Sequence, residues 1–197
     1  MHRRAVIATA ILALALGLAW VLFIGLPHWY GPSSTLQSAA ATVTPQSSSV
    51  AAARKITATL FYVAEDGMML TGIQREVPFA DGVGPQARAI LEAQLAPAAP
   101  LLSAVPADTK LRDVFVTDRG DAFVDLTAEL SSKHSGGALD ELLTIYTIVN
   151  ALTMNLPAIT RVQILIDGKE VDTLAGHVDL RHPLAKGLQW VGGHDTQ

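Results

Sequence analysis

Two groupings of side chains in this 197-residue chain have the types that acid–base or metal chemistry requires. The first is the carboxylate pair of VDLTAEL, Asp125 and Glu129. Glycoside hydrolysis needs two carboxyls about 5–9.5 Å apart across a sugar cleft. In an extended chain these two share a face only if the strand continues to Glu129. The plainer expectation puts Asp125 on the solvent face of a strand and Glu129 at the start of the next loop. The second grouping lies in VQILIDGKEVDTLAGHVDLRHPL, residues 162–184. If that chain is extended, His177, Asp179 and Arg181 share one face, and Val178, Leu180 and His182 share the other. His177 and Asp179 would supply two metal ligands, whereas zinc takes three or four. His134, in a Ser/Gly loop, does not complete the set. The expectation is a short edge strand with its polar residues outward.

Other familiar chemistry is missing from the sequence. Gly136-Gly137 before a helix would present backbone N–H groups to an anion, but no G-x-x-x-x-G-K-[ST] motif accompanies it, and a glycine loop preparing a helix start is the ordinary explanation. There is no G-x-S-x-G elbow and no S-x-x-K. The chain has no cysteine, which removes disulfides, thiol nucleophiles, cysteine metal sites and lipid attachment through cysteine. No catalytic residue, metal site or cofactor is therefore expected.

The elements that would position these residues follow from pattern. KITATLFYVAEDG reads as a strand closed by Asp66-Gly67, and MMLTGIQREVPF as the strand that returns from it. In GVGPQARAILEAQL, Pro85 suits a first helical turn, while Ala87, Ile90, Leu91 and Leu95 fall on one face. KLRDVFVTDRGDAFVDL alternates on both sides of an Asp118-Arg119-Gly120 turn, as a hairpin does. SSKHSGG reads as a loop. Leu139, Leu142, Leu143, Tyr146, Val149 and Thr153 then recur at helical spacing to about Asn155, and Pro157 stops that helix. Val162–Ile166 is a strand too apolar to face water, turned by Asp167-Gly168 and returning over Val171–Leu174. The order is ββα then ββαβ. It predicts an α+β domain, two helices packed on one face of a mostly antiparallel sheet, with the look of two related half-units.

Ahead of this domain the composition changes. Residues 5–26 carry no charge. As a helix they would span roughly 33 Å at 1.5 Å per residue, enough for a bilayer core. Trp29 and Tyr30 suit the membrane interface. The run is longer than a cleavable signal's apolar segment, so an uncleaved transmembrane anchor is expected, the alternative being a signal cleaved near Ala39–Ala41. Arg3 and Arg4 precede it and no Lys or Arg follows until Arg54, which leaves residues 1–4 cytoplasmic and sends the rest outward. Residues 27–54, rich in Ser, Ala, Thr and Pro, read as a disordered tether. The folded domain is expected over 55–190, with a tail over 191–197. Two of the 14 Lys and Arg lie before the anchor; the remaining 12 face 18 Asp and Glu. An acidic domain without a basic patch is a poor partner for nucleic acid.

Several pieces together resemble the GerMN family. They are LFYVAEDG, ARAILEAQL, LLSAVPADTKL, VFVTDRGDAFVDLTAEL and ELLTIYTIVNALTMNLPAITRVQILIDGKEVDTLAGHVDL, in that order over about residues 55–184. The resemblance implies a non-enzymatic envelope domain, exported and anchored. It also implies a structural or assembly role of the sporulation type, through an envelope protein partner or self-association. It supplies no catalytic residues to carry over.

Overall fold

A computed structural model describes residues 54–193. The expected anchor over 5–26 and all of the tether except Arg54 lie outside the described residues. The first unit is an antiparallel hairpin of β1 (Lys55–Val63) and β2 (Leu70–Pro78), in unbroken register from Lys55↔Pro78 to Val63↔Leu70. Gly67 adopts φ 70° in its turn, a conformation open to glycine, and Asp66 Oδ1 accepts the Met68 N–H at 2.9 Å. Helix α1 (Val83–Leu95) follows, and a loop leads to β3 (Leu111–Val116) and β4 (Asp121–Leu126), an antiparallel pair with a bulge between Leu111 and Asp113. A four-residue helix α2 (Glu129–Ser132) precedes the long helix α3 (Ala138–Asn155). Then come β5 (Arg161–Ile166), β6 (Lys169–Glu170), β7 (Leu184–Ala185) and a 3-10 turn, Leu188–Trp190.

The strands form two sheets. β1 and β2 stand as a pair; the second sheet runs β3-β4-β5-β6, with β7 also on β5. The strands pair mostly antiparallel, as expected, except at the centre of the second sheet, where β4 and β5 are parallel. The reason is the connection: α3 returns the chain to the end where β4 began, as a crossover helix does between parallel strands. The expected return strand over Val171–Leu174 is also not formed. Of that return only Lys169–Glu170 pair with β5, and the chain then leaves the sheet until β7.

The core is continuous across both sheets. Leu60 and Tyr62 of β1, Ile90 and Leu91 of α1, Val124 and Leu126 of β4, Ile145, Ile148 and Leu152 of α3, and Val162 and Ile164 of β5 are all buried in one cluster. Each such aliphatic side chain contributes about 1.5–3 kcal/mol by leaving water. Helix α3 touches β1, α1 and β5, and so joins the two sheets.

The edge of β1 away from β2 is closed in an unusual way. Thr59, Phe61 and Val63 turn their backbone groups away from β2. Asn155 at the end of α3 accepts the Thr59 N–H and donates to the Thr59 carbonyl, both at 2.8 Å. Gln94 of α1 does the same at Phe61, again 2.8 Å each way. Leu102 accepts the Val63 N–H at 2.8 Å. Two side-chain amides thus replace rungs of a neighbouring strand. Because a buried backbone group without a partner costs about 1–3 kcal/mol, they allow β1 to sit inside the domain without a second strand beside it.

Candidate functional site

The two groupings singled out from the sequence are structural. Asp125 lies on the outer face of β4 with its side chain 14% exposed. It accepts from Arg112 Nε at 2.9 Å and from the Gly168 N–H at 2.7 Å. Arg112 also reaches Asp167 at 3.4 Å, so the three side chains staple the β3 edge to the turn after β5. Glu129 begins α2, where a loop was expected. Hydrogen bonding to Thr127 and to its own backbone holds its carboxyl below the usual range. The strand therefore ends before Glu129, and the pair does not face a common cleft on one extended segment.

The expected edge strand over His177–Arg181 is not formed either; residues 173–182 make a series of bends. Asp179 is paired with Arg181 two positions on, at 2.7 Å, in solvent. The Arg181 side chain, then its backbone N–H, hold the Asp179 carboxyl well below the usual range. His177 turns instead toward Glu141. That residue, in the first turn of α3, is completely buried. Its Oε1 accepts the N–H groups of Leu174 (2.8 Å) and Ala175 (3.0 Å), and its Oε2 accepts the N–H (2.8 Å) and Nδ1 (3.0 Å) of His177. Burial works against the ionised form, but the three backbone donors and His177 outweigh it, and the Glu141 carboxyl titrates below its ordinary range. A buried carboxylate with four donors holds a loop in place of a missing strand. The sequence places Glu141 at a helix start, where an acid suits the helix dipole, and gives no signal that it turns inward.

His134 is also committed. Its Nδ1 accepts the Gly136 N–H at 3.0 Å, so the proton is on Nε2, which faces Thr144 Oγ1 at 3.1 Å; that hydroxyl donates to the Ala104 carbonyl at 2.7 Å. Gly136 and Gly137 hold φ 87° and 89° and lead into α3. Among the described residues no group of three or more His, Asp or Glu side chains is placed to hold a metal ion, and no helix is long and apolar enough to cross a membrane.

Further buried amides serve the backbone. Gln86 accepts the Ala80 N–H (2.8 Å) and donates to the Pro78 carbonyl (3.1 Å). Asn150, wholly buried, accepts the Gly187 N–H (2.9 Å) and donates to its carbonyl (3.1 Å), fixing the C-terminal segment to α3. Gln163 reaches the Leu180 carbonyl at 2.6 Å. These residues were not singled out in the sequence. The signal was there in part: IVNALTMN sets asparagines within an apolar helix, where a polar side chain needs a buried partner.

What remains accessible is surface. A depression of about 400 Å³ lies between the Pro97–Ala98 and Ser103–Ala107 loops and His134. Another of about 420 Å³ runs between β3 and the start of α1, lined by Val83, Gly84, Val114, Phe115, Val116 and others. Phe115 is 63% exposed.

Among the described residues the buried Glu141, Gln86, Gln94, Asn150 and Gln163 all hydrogen-bond to backbone groups. The family model described as "Germane: Sporulation and spore germination" matches residues 59–172. The chain belongs to the Germane family. Among solved structures it is similar to the tandem GerMN domains of the sporulation protein GerM from Bacillus subtilis, with 17% identity and a TM-score of 0.53 over 67% of this chain and 46% of that one. It is also similar to the first GerMN domain of the same protein, with 19% identity and a TM-score of 0.47 over 66% of this chain and 95% of that one. A candidate lipoprotein from Clostridium perfringens matches at 26% identity and a TM-score of 0.49, over 67% of this chain and 88% of that one. No curated protein matches. The tandem-domain likeness shows that this Germane chain shares the GerMN fold.

Proposed function

We propose that this Germane domain is the extracytoplasmic part of a membrane-anchored protein and acts without catalysis, as a structural or assembly component of the cell envelope. Family membership carries the reading, and the family's description places its members in sporulation and spore germination. Two further features support it. Residues 5–26 are uncharged and long enough to anchor the chain, with the folded domain outward across a tether over 27–54. Asp125, Glu141 and His134 are engaged in accepting backbone N–H groups. The domain then works through its surface, by binding an envelope protein or a second copy of itself.

Crosslinking of the full-length protein in its own envelope, followed by purification and mass spectrometry, tests this. A discrete, recurrent envelope partner or a ladder of homo-oligomers is the expected result. Recovery of cell-wall fragments alone would replace it with a wall-binding module, and nothing specific would end it.

A further inference from the structure

The free edges of the two sheets are treated differently. On β1 the edge is sealed by Asn155, Gln94 and Leu102. On β2 the residues facing outward are Gly72, Gln74 and Glu76, those opposite Phe61, Thr59 and Thr57. That edge is guarded: Gln74, Arg75 and Glu76 are exposed, Glu76 pairs with Lys55 at 2.7 Å, and the strand ends at Pro78. Charge and proline are what keep an edge from recruiting a strand.

The edge of β3 is less guarded at its far end, where Val114, Phe115 and Val116 carry neither charge nor proline. Thr117 donates to the Asp121 carbonyl across the hairpin, so its neighbour Val116, and Val114 before it, turn their backbone groups away from β4. The Val114 N–H is taken by Asp113 Oδ1 at 2.8 Å. The Val114 carbonyl and the Val116 N–H and carbonyl have no hydrogen-bond partner among the described residues. Beside them lies the depression of about 420 Å³, walled by Val83 and Gly84 of α1 and by Phe115, with Asp118 as its one charged lining residue.

We propose that this edge accepts an extended segment of a partner protein as an added strand. The segment hydrogen-bonds to Val114 and Val116, seats an apolar side chain between Val83 and Phe115, and carries a basic residue toward Asp118. Strand addition of this kind takes its affinity from main-chain bonds and its selectivity from the flanking pocket. The geometry favours a different chain over a second copy. A two-fold β3–β3 pair centred on Phe115 would need the Val114 N–H of both copies, which Asp113 already holds, and one centred on Val116 would set Asp118 of each copy opposite Val114 of the other rather than opposite a basic residue; a one-sided segment can use the three free groups and supply that residue. The inference rests on the reading of the domain as an assembly component and names where its partner binds.

The test uses the full-length protein in its native envelope with a photo-crosslinking phenylalanine analogue at position 115, and the same analogue separately at Gln74 and Met68. Position 115 is expected to give one adduct, mapping by mass spectrometry to a single stretch of another protein. Val116→Pro deletes the edge N–H, and Val83→Asp charges the depression at a helix start that tolerates an acid. Each is expected to cut the adduct at least tenfold while leaving the far-ultraviolet circular dichroism of the purified protein unchanged. Retention of the adduct in either variant that stays folded overturns strand addition. An adduct of twice the chain's mass overturns the choice of partner in favour of a second copy. Adducts at Gln74 or Met68 but none at 115 defeat this inference and leave the assembly reading standing; none at any position defeats both.

Discussion

Replacing Glu141 by Gln tests whether one buried carboxylate stands in for the missing β-strand. Glutamine keeps the size of the side chain and one accepting oxygen. If that oxygen stays on Leu174 and Ala175, the new NH2 group meets the His177 N–H, donor against donor. One or two buried donors then lose their acceptor at about 1–3 kcal/mol each. The expected loss is about 2–4 kcal/mol, which for a domain of this size lowers Tm by roughly 6–12 °C. The pH dependence gives an independent check. Because the folded-state carboxyl titrates below its ordinary range, the stability it contributes is complete above the unfolded value of about 4.3 and disappears as pH falls through the lower folded value. The gap between wild type and Glu141→Gln is therefore expected to be full at pH 7 and to narrow below about pH 4. Thermal melts across that range and hydrogen exchange at Leu174, Ala175 and His177 read both effects. A variant as stable as wild type at pH 7, with those three amides still protected, would refute the reasoning. So would a gap that stays constant down to pH 2.

Other perturbations separate the structural residues from the surface ones. A methyl group added at Gly187 would sit 2.3 Å from Tyr146 Cε1 and 2.9 Å from its Cζ; Gly187→Ala is expected to cost about 1–3 kcal/mol by overpacking, and limited proteolysis should then release the segment from Leu184 onward. Gln94→Leu keeps the apolar volume but leaves the Phe61 N–H and carbonyl unpaired, so urea unfolding should show a loss of about 2–4 kcal/mol; an unchanged midpoint would mean the β1 edge is satisfied in another way. Asp179→Asn breaks a solvent-exposed ion pair and is expected to leave Tm unchanged within error, which a single calorimetric scan decides.

The elements of this fold were legible where one local rule governs them. Alternation and Asp-Gly or Arg-Gly turns located both hairpins, and helical spacing located α1 and α3 to within a residue or two. Partners distant in sequence were not legible. Nothing in VDLTAEL shows that β4 will lie parallel to β5; that depends on α3 carrying the chain back across the sheet. The segment after Gly168 alternates well enough to suggest a strand, but its backbone finds Glu141 of α3 before it finds a neighbouring strand. For the same reason His177 and Asp179, which would share a face in an extended chain, separate here: one turns to a buried carboxylate and the other to Arg181 in solvent. The candidate surface along β3 escaped notice because its groove depends on Val83, which arrives from α1.

The amide clamp on β1 also sets a schedule. The Thr59 backbone bonds to Asn155, 96 positions later in the chain. A ribosome adding 5–20 residues per second needs roughly 5–20 s to cover that distance. Gln94 and Leu102, made earlier, cover Phe61 and Val63, but through the rest of that interval the Thr59 rung still lacks its cover, and a bare edge recruits whatever strand is near. The asparagine that completes the strand is the last of its three covers to be made. The β1 edge is therefore closed in chain order, at Phe61 and Val63 before Thr59.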